Sequence, residues 1–600
     1  MRVFLALISK DPRSPISAAV SVARSVIGDV FPAPLDTVTS DEWESQGTAL
    51  LAWSNEESVW TRLPLLAKGP DHAVGVSGHL AQEKDVSGLA GASSLGRAAA
   101  SLAGCFSAFR AAPGEIQAAT VSTRACPVFY AETPELHVVG NRALHVHLVA
   151  TGGTVAWDEL ALQSMIRQGY FLSDETPFRG VEALGPSSSL LVRDGNRTIS
   201  GTPLPQARPA PTSPRTKRAA IAHLGDALVA AVAPLRSAPE PVNLALTGGR
   251  DSRLMAALLH AARIPFRATT NGLDDHPDVV LARRIAGKLG IQHTVIAPAQ
   301  TAAKDAIVIP HPSERTYQVL RTCEGMTSAY ESIVEYLPYS AKPTMSGQSG
   351  EILRGGFLYS QNNTSQKAML RRVNDFFLKN EGLFTDEANE HARTLAGPWV
   401  ARAQENPWEV LDHLYVTYRV GRWHAGARVG SLLRGNPIQP FLDNRVVSEA
   451  LALDQKWRYS EEVVHDLIHR FAPALRDIPL EGSPWRFAAD RPPSFWSRLR
   501  AGREAAPAVT AKKKGGGGWN WRTSPGPVLS ALLSEYVMAR ADVLAGIIRP
   551  DELKPLFDGP VITQPALAWN LYTVASLLTG AYPGEPPAGL DPVQITIPRS

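Results

Sequence analysis

The chain opens on an unbroken apolar run, Val3–Ile8, too short for a signal-peptide core, and it predicts a buried first strand. Short β-type runs follow at Ala73–Val76, Pro127–Tyr130, His137–Val139, Ala143–Val149 and Leu190–Val192, separated by Gly, Asn and Asp clusters. One helical period, Trp157–Gln168, puts Leu160, Leu162, Met165 and Ile166 near one face. Gly201–Pro214 then carries five prolines, which neither a helix nor an inner strand accommodates, and predicts a linker. Beyond it the pattern changes. Helical periods at Lys217–Leu235, Ser252–Ala262 and Asp278–Leu289 alternate with apolar runs at Val242–Leu246 and Phe266–Thr270. That alternation predicts βαβ units and a parallel sheet. Helical patterns dominate after about 315. A second soft stretch, Arg491–Pro527, holds a Lys512–Gly518 tract that reads as flexible. The divisions are 1–200, a linker over 201–216, and 217–600.

Composition narrows the class. With 600 residues, 44% hydrophobic and 20% charged, the chain is a globular protein of two or more domains. Sixty basic against 57 acidic residues leave +3, no field for holding nucleic acid or an anionic membrane. No apolar run reaches the roughly 18–20 residues of a membrane span. Cys105, Cys126 and Cys323 are far apart in sequence, with no CxxC, which fits a reduced cytoplasmic location.

The chemistry concentrates in Leu244-Ala-Leu-Thr-Gly-Gly-Arg-Asp-Ser-Arg-Leu-Met255. A buried strand runs into Thr247-Gly248-Gly249 and a helix starts near Ser252. Adjacent glycines let the backbone turn tightly, and a helix N-terminus turns free N–H groups on an anion. Thr247 and Ser252 add hydroxyls. Asp251 would repel a bare phosphate, so its presence calls for Mg²⁺ between carboxylate and phosphate. No G-x-x-x-x-G-K-[ST] occurs, which excludes a Walker A loop.

Leu246–Ser252 resembles the SGGxDS pyrophosphate loop of the N-type ATP pyrophosphatases. Asn271-Gly-Leu-Asp-Asp-His-Pro-Asp278 with Ala282, Ala286, Leu289-Gly290 and His293 resembles the second βα unit of asparagine synthetase. Ser346-Gly-Gln-Ser-Gly-Glu-Ile-Leu-Arg-Gly-Gly356 resembles its SGEGSDELFGG loop, and Pro440-Phe-Leu-Asp443 its PFLD motif. The likeness covers about 217–490, and the first 200 residues look like a worn glutaminase domain of the same family. The implied fold is a two-domain α+β and α/β chain. It has a degenerate Ntn-type glutaminase-like sandwich, then a parallel-sheet adenine-nucleotide α-hydrolase-like (ATP pyrophosphatase) synthetase domain. The resemblance implies ATP and Mg²⁺ as cofactors. Leu246, Thr247, Gly248, Gly249, Arg250, Asp251 and Ser252 would hold ATP phosphates, and Asn271, Ser346 and Gly347 would line the adenine pocket. Asp251 and Glu351 would hold Mg²⁺, with Glu351 standing where the family has Asp, and Asp443 would brace the site.

Departures from the family pattern shape the expected activity. The family's glutaminase nucleophile is a cysteine following the initiator methionine; here Arg2 follows Met1, and the Asn-Gly oxyanion pair reads Ser77-Gly78-His79. No glutaminase activity is therefore expected. Gln348 replaces the acid of SGEG, and Arg486 stands in for a late lysine; arginine neutralises pyrophosphate without donating a proton. The T-G-G-R-D-S-R loop, the D-H-P-D-V turn and G-E-x-x-R-G-G look most like the lasso peptide cyclases, or macrolactam synthetases. In that family an Asp or Glu side chain of a core peptide is adenylated, and the N-terminal amine closes an isopeptide ring, releasing AMP and pyrophosphate. Implied partners are a ribosomal precursor peptide, a leader-binding protein and a leader peptidase. The alternative is a small-molecule ligase of β-lactam synthetase or divergent asparagine synthetase type.

Other features read more plainly. His145 and His147, two apart on an expected strand, suit packing better than a metal. His276 suits turn capping. Arg419, Arg422, Arg428 and Arg434 form a basic helical stretch that faces either a ligand or solvent, Lys512–Lys514 a solvated loop, and Trp569–Tyr572 a core helix.

Overall fold

The computed structural model describes residues 1–11, 13–57, 63–82, 84–297, 306–331, 336–358, 363–435, 437–482, 484–489 and 520–596. The Lys512–Gly518 tract lies outside them. The first 200 residues form two antiparallel six-stranded sheets. One has the order Glu182–Ala183, Phe129–Glu132, Leu136–Gly140, Arg2–Ser9, Thr48–Ser54, Thr39–Ser45. The other runs Asn196–Gly201, Ser188–Arg193, Glu115–Thr120, Gly104–Ala112, Ala73–Leu80, Ala67–Lys68.

The sheets pack face to face. Phe4, Ala6 and Ile8 meet Phe109, Ile116, Leu190 and Val192, with Phe4 stacked on Phe109 at 5.4 Å. Val3, Leu5 and Leu7 point the other way, against helices Ser17–Ser25 and Ala143–Ala150. On the far side, Val74, Val76 and Phe106 pack on helices Asp85–Ala90 and Leu95–Ser101. The result is a four-layer α–β–β–α sandwich. Its first strand is buried on both faces, which is why Val3–Ile8 is apolar throughout rather than alternating.

Ala143–Val149 departs from the expected strand: it is the helix Ala143–Ala150. Every residue from Ala143 to Val149 is buried, so the helix is apolar all round and carries no 3.6-residue period. His145 and His147 therefore do not share a strand face. His145 Nε2 lies 3.0 Å from the Ala23 carbonyl, and His147 Nε2 accepts the Ala156 amide at 2.8 Å. Burial pulls both imidazoles down to about 4, so they pack as neutral rings.

Beyond 213 a parallel sheet forms, in the order His293–Ile296, Phe266–Asn271, Val242–Ala245, Thr344–Met345. Helix Arg250–Ala261 follows the third of these strands in space and Pro277–Leu289 the second, the latter capped by His276 Nδ1 on the Asp278 amide at 3.2 Å. The strand order reverses beside Val242–Ala245, and crevices at such points are where open α/β sheets take ligands. Pro214–Ser237 is long and apolar enough, by length and composition, to cross a membrane, a feature the sequence reading missed. Its Ile221, Leu224, Leu228, Val232 and Leu235 are committed to the core beneath the parallel sheet.

The halves do not keep separate cores. One apolar cluster joins Val3, Leu5 and Val146 to Leu533, Trp569 and Leu571; another joins Cys105 and Cys126 to Leu244, Leu254 and Phe441.

Candidate active site

Val242–Ala245 delivers buried Leu246 and then the Thr247–Gly249 turn to the start of helix Arg250–Ala261. A Cβ on Gly248 would stand 2.6 Å from Leu281 Cδ1, so the turn admits no side chain there. The turn is held by its own groups. The Thr247 amide donates to Ser252 Oγ (3.1 Å), the Gly249 amide to Thr247 Oγ1 (3.2 Å) and the Gly248 amide to Asp278 Oδ1 (2.7 Å). From beneath, fully buried Arg253 donates to the carbonyls of Gly248 (3.1 Å), Ile478 (2.7 Å) and Pro479 (2.7 Å).

The Ser346–Gly350 loop lies directly on this helix start. A Cβ on Gly347 would stand 2.5 Å from the Ser252 amide nitrogen, and one on Gly350 would collide with the Asp251 carboxylate. Ser349 adopts a left-handed φ of +68° to make the turn. The next turn carries Glu351 and Arg354. Arg354 grips Asp251 with both arms, Nε to Oδ1 at 3.1 Å and Nη2 to Oδ2 at 2.5 Å, and the same Nη2 lies 3.8 Å from Glu351 Oε1. Tyr415 donates its hydroxyl to Glu351 Oε2 at 2.9 Å. Burial pushes Asp251 up to about 6; Arg354 opposes that rise and the Glu351 charge adds to it. Burial, then Glu351, holds the Tyr415 phenol well above its ordinary range.

Two carboxylates thus converge on one cationic atom, the donor chemistry Mg²⁺ requires. The residues fit the ion on one condition: Arg354 occupies the Asp251 oxygens and has to yield for Asp251 to coordinate. Among the described residues no group of three or more His, Cys, Asp or Glu side chains forms a metal site, so a Mg²⁺ here would draw its remaining ligands from phosphate and water.

A third segment closes the cradle. Glu461 Oε1 lies 2.8 Å from Arg250 Nε and 3.8 Å from Arg354 Nη1, while its Oε2 accepts the Arg486 amide at 3.1 Å. Arg250 also donates to the Pro484 carbonyl (2.9 Å) and lies 5.3 Å from the Trp485 ring centre; Arg486 lies 4.2 Å over Tyr459. Arg354, Tyr415 and Glu461 were not singled out from sequence. Only Arg354 had a signal, its place inside the Ser346–Gly356 motif.

A cleft of about 630 Å³ opens beside the loops, and Asn271 and Ser346 both line it, along with Ala245, Ile296, Gln348 and Gln439. Gly347, expected in the same pocket, is not among the residues lining it and lies instead against the Asp251–Ser252 backbone. Asp443 caps helix Asn444–Leu451, accepting the Arg445 (2.9 Å) and Val446 (3.3 Å) amides, and does not reach the cradle oxygens. The basic stretch is not one surface. Arg422 and Arg428 are buried, Arg428 against the Cys126 sulfur at 3.0 Å, Arg419 stacks on Trp423, and Arg434 lines the cleft. Tyr415–His424 winds as a π-helix, which sets Tyr415 toward Glu351. A larger cleft, about 730 Å³, lies between Thr202–Ala207 and His413, and none of the expected site residues lines it.

In the first domain, Arg2 is clasped by Glu56 (2.9 Å) and by the Leu63 and Pro64 carbonyls. Gly78 has φ +94°, and a side chain there would collide with the Cys105 carbonyl. His79 beside it is buried and pulled down to about 3, first by burial and then by Arg428.

Residues 223–467 match the family model described as asparagine synthase. That match supports an asparagine synthetase-like family for this segment, with ATP-dependent amide-bond formation as its reaction class and ATP with Mg²⁺ as the family's usual cofactors. It contains Arg250, Asp251, Glu351, Arg354, Tyr415 and Glu461, and ends before the Ile478–Arg486 stretch that closes the cradle. No curated protein matches the chain. Among solved structures, one titled as the allosteric regulatory enzyme of purine biosynthesis aligns at 12% identity over 41% of this chain, with TM-score 0.22. The chain spans 60% of that structure's length. Glutamine phosphoribosylpyrophosphate amidotransferase from B. subtilis, complexed with ADP and GMP, aligns at 13% identity over 59% of this chain and 77% of its own, with TM-score 0.21. Likenesses this weak carry no argument.

Proposed function

We propose that the protein is an ATP-dependent, AMP-forming amide ligase that closes a macrolactam on a ribosomal peptide, as the lasso peptide cyclases do. The observation that carries the ligase reading is the convergence of Asp251 and Glu351 at the start of the Arg250–Ala261 helix, beside the cleft that Asn271 and Ser346 line. The macrolactam reading rests on the T-G-G-R-D-S-R and G-E-x-x-R-G-G segments. In this reading the amine belongs to the substrate.

A carboxylate is a poor acyl donor, and AMP is a good leaving group. The side-chain carboxylate oxygen attacks the α-phosphorus and pyrophosphate leaves; the peptide amine then attacks the acyl carbon and AMP leaves. Bound Mg²⁺, held by Asp251 and Glu351, would neutralise phosphate charge. The chain's own part is positional. The Gly248–Gly249 turn and helix start orient phosphate oxygens, Arg250, Arg354 and Arg486 supply cationic charge, and Asn271 with Ser346 fixes the nucleobase. Holding a folded peptide with its amine beside the activated carbonyl contributes the orientation term, up to roughly 7–11 kcal/mol in favourable cases. Leader-binding protein and leader peptidase are the partners this reading calls for, in a cytoplasmic setting without nucleic acid or membrane.

The deciding experiment incubates the full chain with ATP, Mg²⁺ and candidate linear core peptides, with and without glutamine, and follows mass. Loss of one water from a peptide, with AMP formed and glutamine unchanged, is the expected result. Amidation of a small acid with no peptide turned over would replace this reading with a small-molecule ligase.

Glu351→Gln is expected to lower the rate about tenfold or more and to raise the Mg²⁺ concentration needed for half-maximal rate, because one of two converging charges is gone. An unchanged Mg²⁺ titration would remove Glu351 from the ion's ligands.

A further inference from the structure

Glu461 is 1% exposed and holds a left-handed backbone, φ +68°, which side-chain-bearing residues adopt only where surroundings enforce it. Its carboxylate draws together three segments far apart in sequence: Arg250 of the phosphate turn, Arg354 of the Ser346–Gly356 motif, and the Pro484–Arg486 strand of chain. Arg250 is the first residue of its helix, so its guanidinium emerges at the positive end of the helix dipole.

We propose that Glu461 is a positioning residue that spreads Arg250 and Arg354 into a clamp for the β- and γ-phosphates of ATP and for the departing pyrophosphate. The assignment rests on the ATP reading above. Arg354 lies between two acids, Nη2 on Asp251 and Nη1 toward Glu461. Glu461 is thus the anion that can retain this guanidinium when Asp251 turns to a cation. Without Glu461, Asp251 and Glu351 remain beside these arginines among the described residues, and the guanidiniums are drawn onto the oxygens that the phosphate-bound cation needs.

A merely neutralising role predicts the opposite sign. Deleting a carboxylate makes the cradle more positive, which by itself tightens binding of every anion. The test is calorimetric titration of the full chain with inorganic pyrophosphate, ATP and AMP, each with Mg²⁺, for wild type, Glu461→Gln, Arg250→Ala and the double variant. Glu461→Gln is expected to weaken pyrophosphate and ATP at least tenfold while leaving AMP within about twofold. The double variant is expected to bind pyrophosphate more weakly than Arg250→Ala, because Arg354 loses its anchor as well, but by less than the product of the two single losses. Tighter pyrophosphate binding, equal loss for AMP, or additive effects would overturn the assignment and leave the ATP reading standing. Wild type binding neither ATP nor pyrophosphate would overturn both. Should Glu461→Gln fail to fold, Arg250→Ala and Arg354→Ala carry the same split, and its absence in both would overturn the clamp.

Discussion

Residues 216–600 expressed alone are expected to be insoluble, or to lack a cooperative thermal transition. The reason is the shared core. Removing the first 215 residues strips Val3, Leu5, Leu144, Val146 and Phe171 from a cluster that also holds Cys323, Leu533, Trp569 and Tyr572. It also removes Cys105 and Cys126 from the parallel-sheet core. Buried charges lose partners as well. Glu324, 2% exposed, faces Arg142 at 2.9 Å, and Arg428 faces the Cys126 sulfur. Breaking a buried pair by deleting one member costs about 3–5 kcal/mol, against a typical total stability of roughly 5–15 kcal/mol. Asn444 would lose the Ser122 hydroxyl (2.6 Å) and the Ala100 and Leu102 carbonyls that it bridges. The exposed apolar face would far exceed what a soluble monomer carries. Solubility, a melt by circular dichroism and ATP-dependent pyrophosphate release decide the matter. A soluble, cooperative and active fragment would show that the first domain is dispensable.

How much could be read in advance follows from where each signal is stored. The phosphate turn was legible because strand, two glycines and helix start are contiguous, and the physics that makes an anion cradle is local. The parallel sheet was legible from the alternation of helical periods with short β-type runs, although its strands are only partly buried and carry Asn243, Arg267 and Thr294. Full burial hid the Ala143–Ala150 helix, because it erases the helical period. Thr39–Ser45 was missed for the reverse reason: it is an edge strand with no buried residue, so hydrophobicity says nothing about it. The site's electrostatics were half legible. Asp251 and Glu351 lie in motifs, but Tyr415 reaches Glu351 through a π-helical turn, and Glu461 meets Arg250 across 211 residues of sequence. No local pattern encodes that pairing. The Asp251–Arg354 pair was in reach, since both residues belong to quoted motifs, but which of three nearby acids Arg354 chooses is decided by the close approach that Gly350 permits.

Asp251→Ala is expected to abolish ATP-dependent pyrophosphate release while leaving the thermal transition in place. Loss of activity follows from charge. Asp251 is one of the two carboxylates proposed to hold Mg²⁺, and it stands at the helix start where the phosphates are proposed to bind. Without it the remaining site is Glu351, already shared with Tyr415 and Arg354. Retention of the fold follows from the pKa. Burial raises Asp251 to about 6 even with Arg354 gripping it, above its ordinary value of 3.8. An acid whose folded pKa is raised binds its proton more tightly in the folded state than in the unfolded one, so at pH 7 its ionised form opposes folding, by on the order of a few kcal/mol. Removing the side chain relieves that cost. Arg354 is not orphaned, because Glu351 and Glu461 each lie 3.8 Å from it. The small cavity left beside Gly350 is open to solvent, since the Asp251 side chain is 18% exposed. Pyrophosphate release and the circular dichroism melt are measured on the same preparation. Normal release by a folded Asp251→Ala protein would sink the ATP site, and with it the ligase reading; a lost transition would show that the carboxylate holds the Ser346–Gly356 loop in place rather than a metal ion.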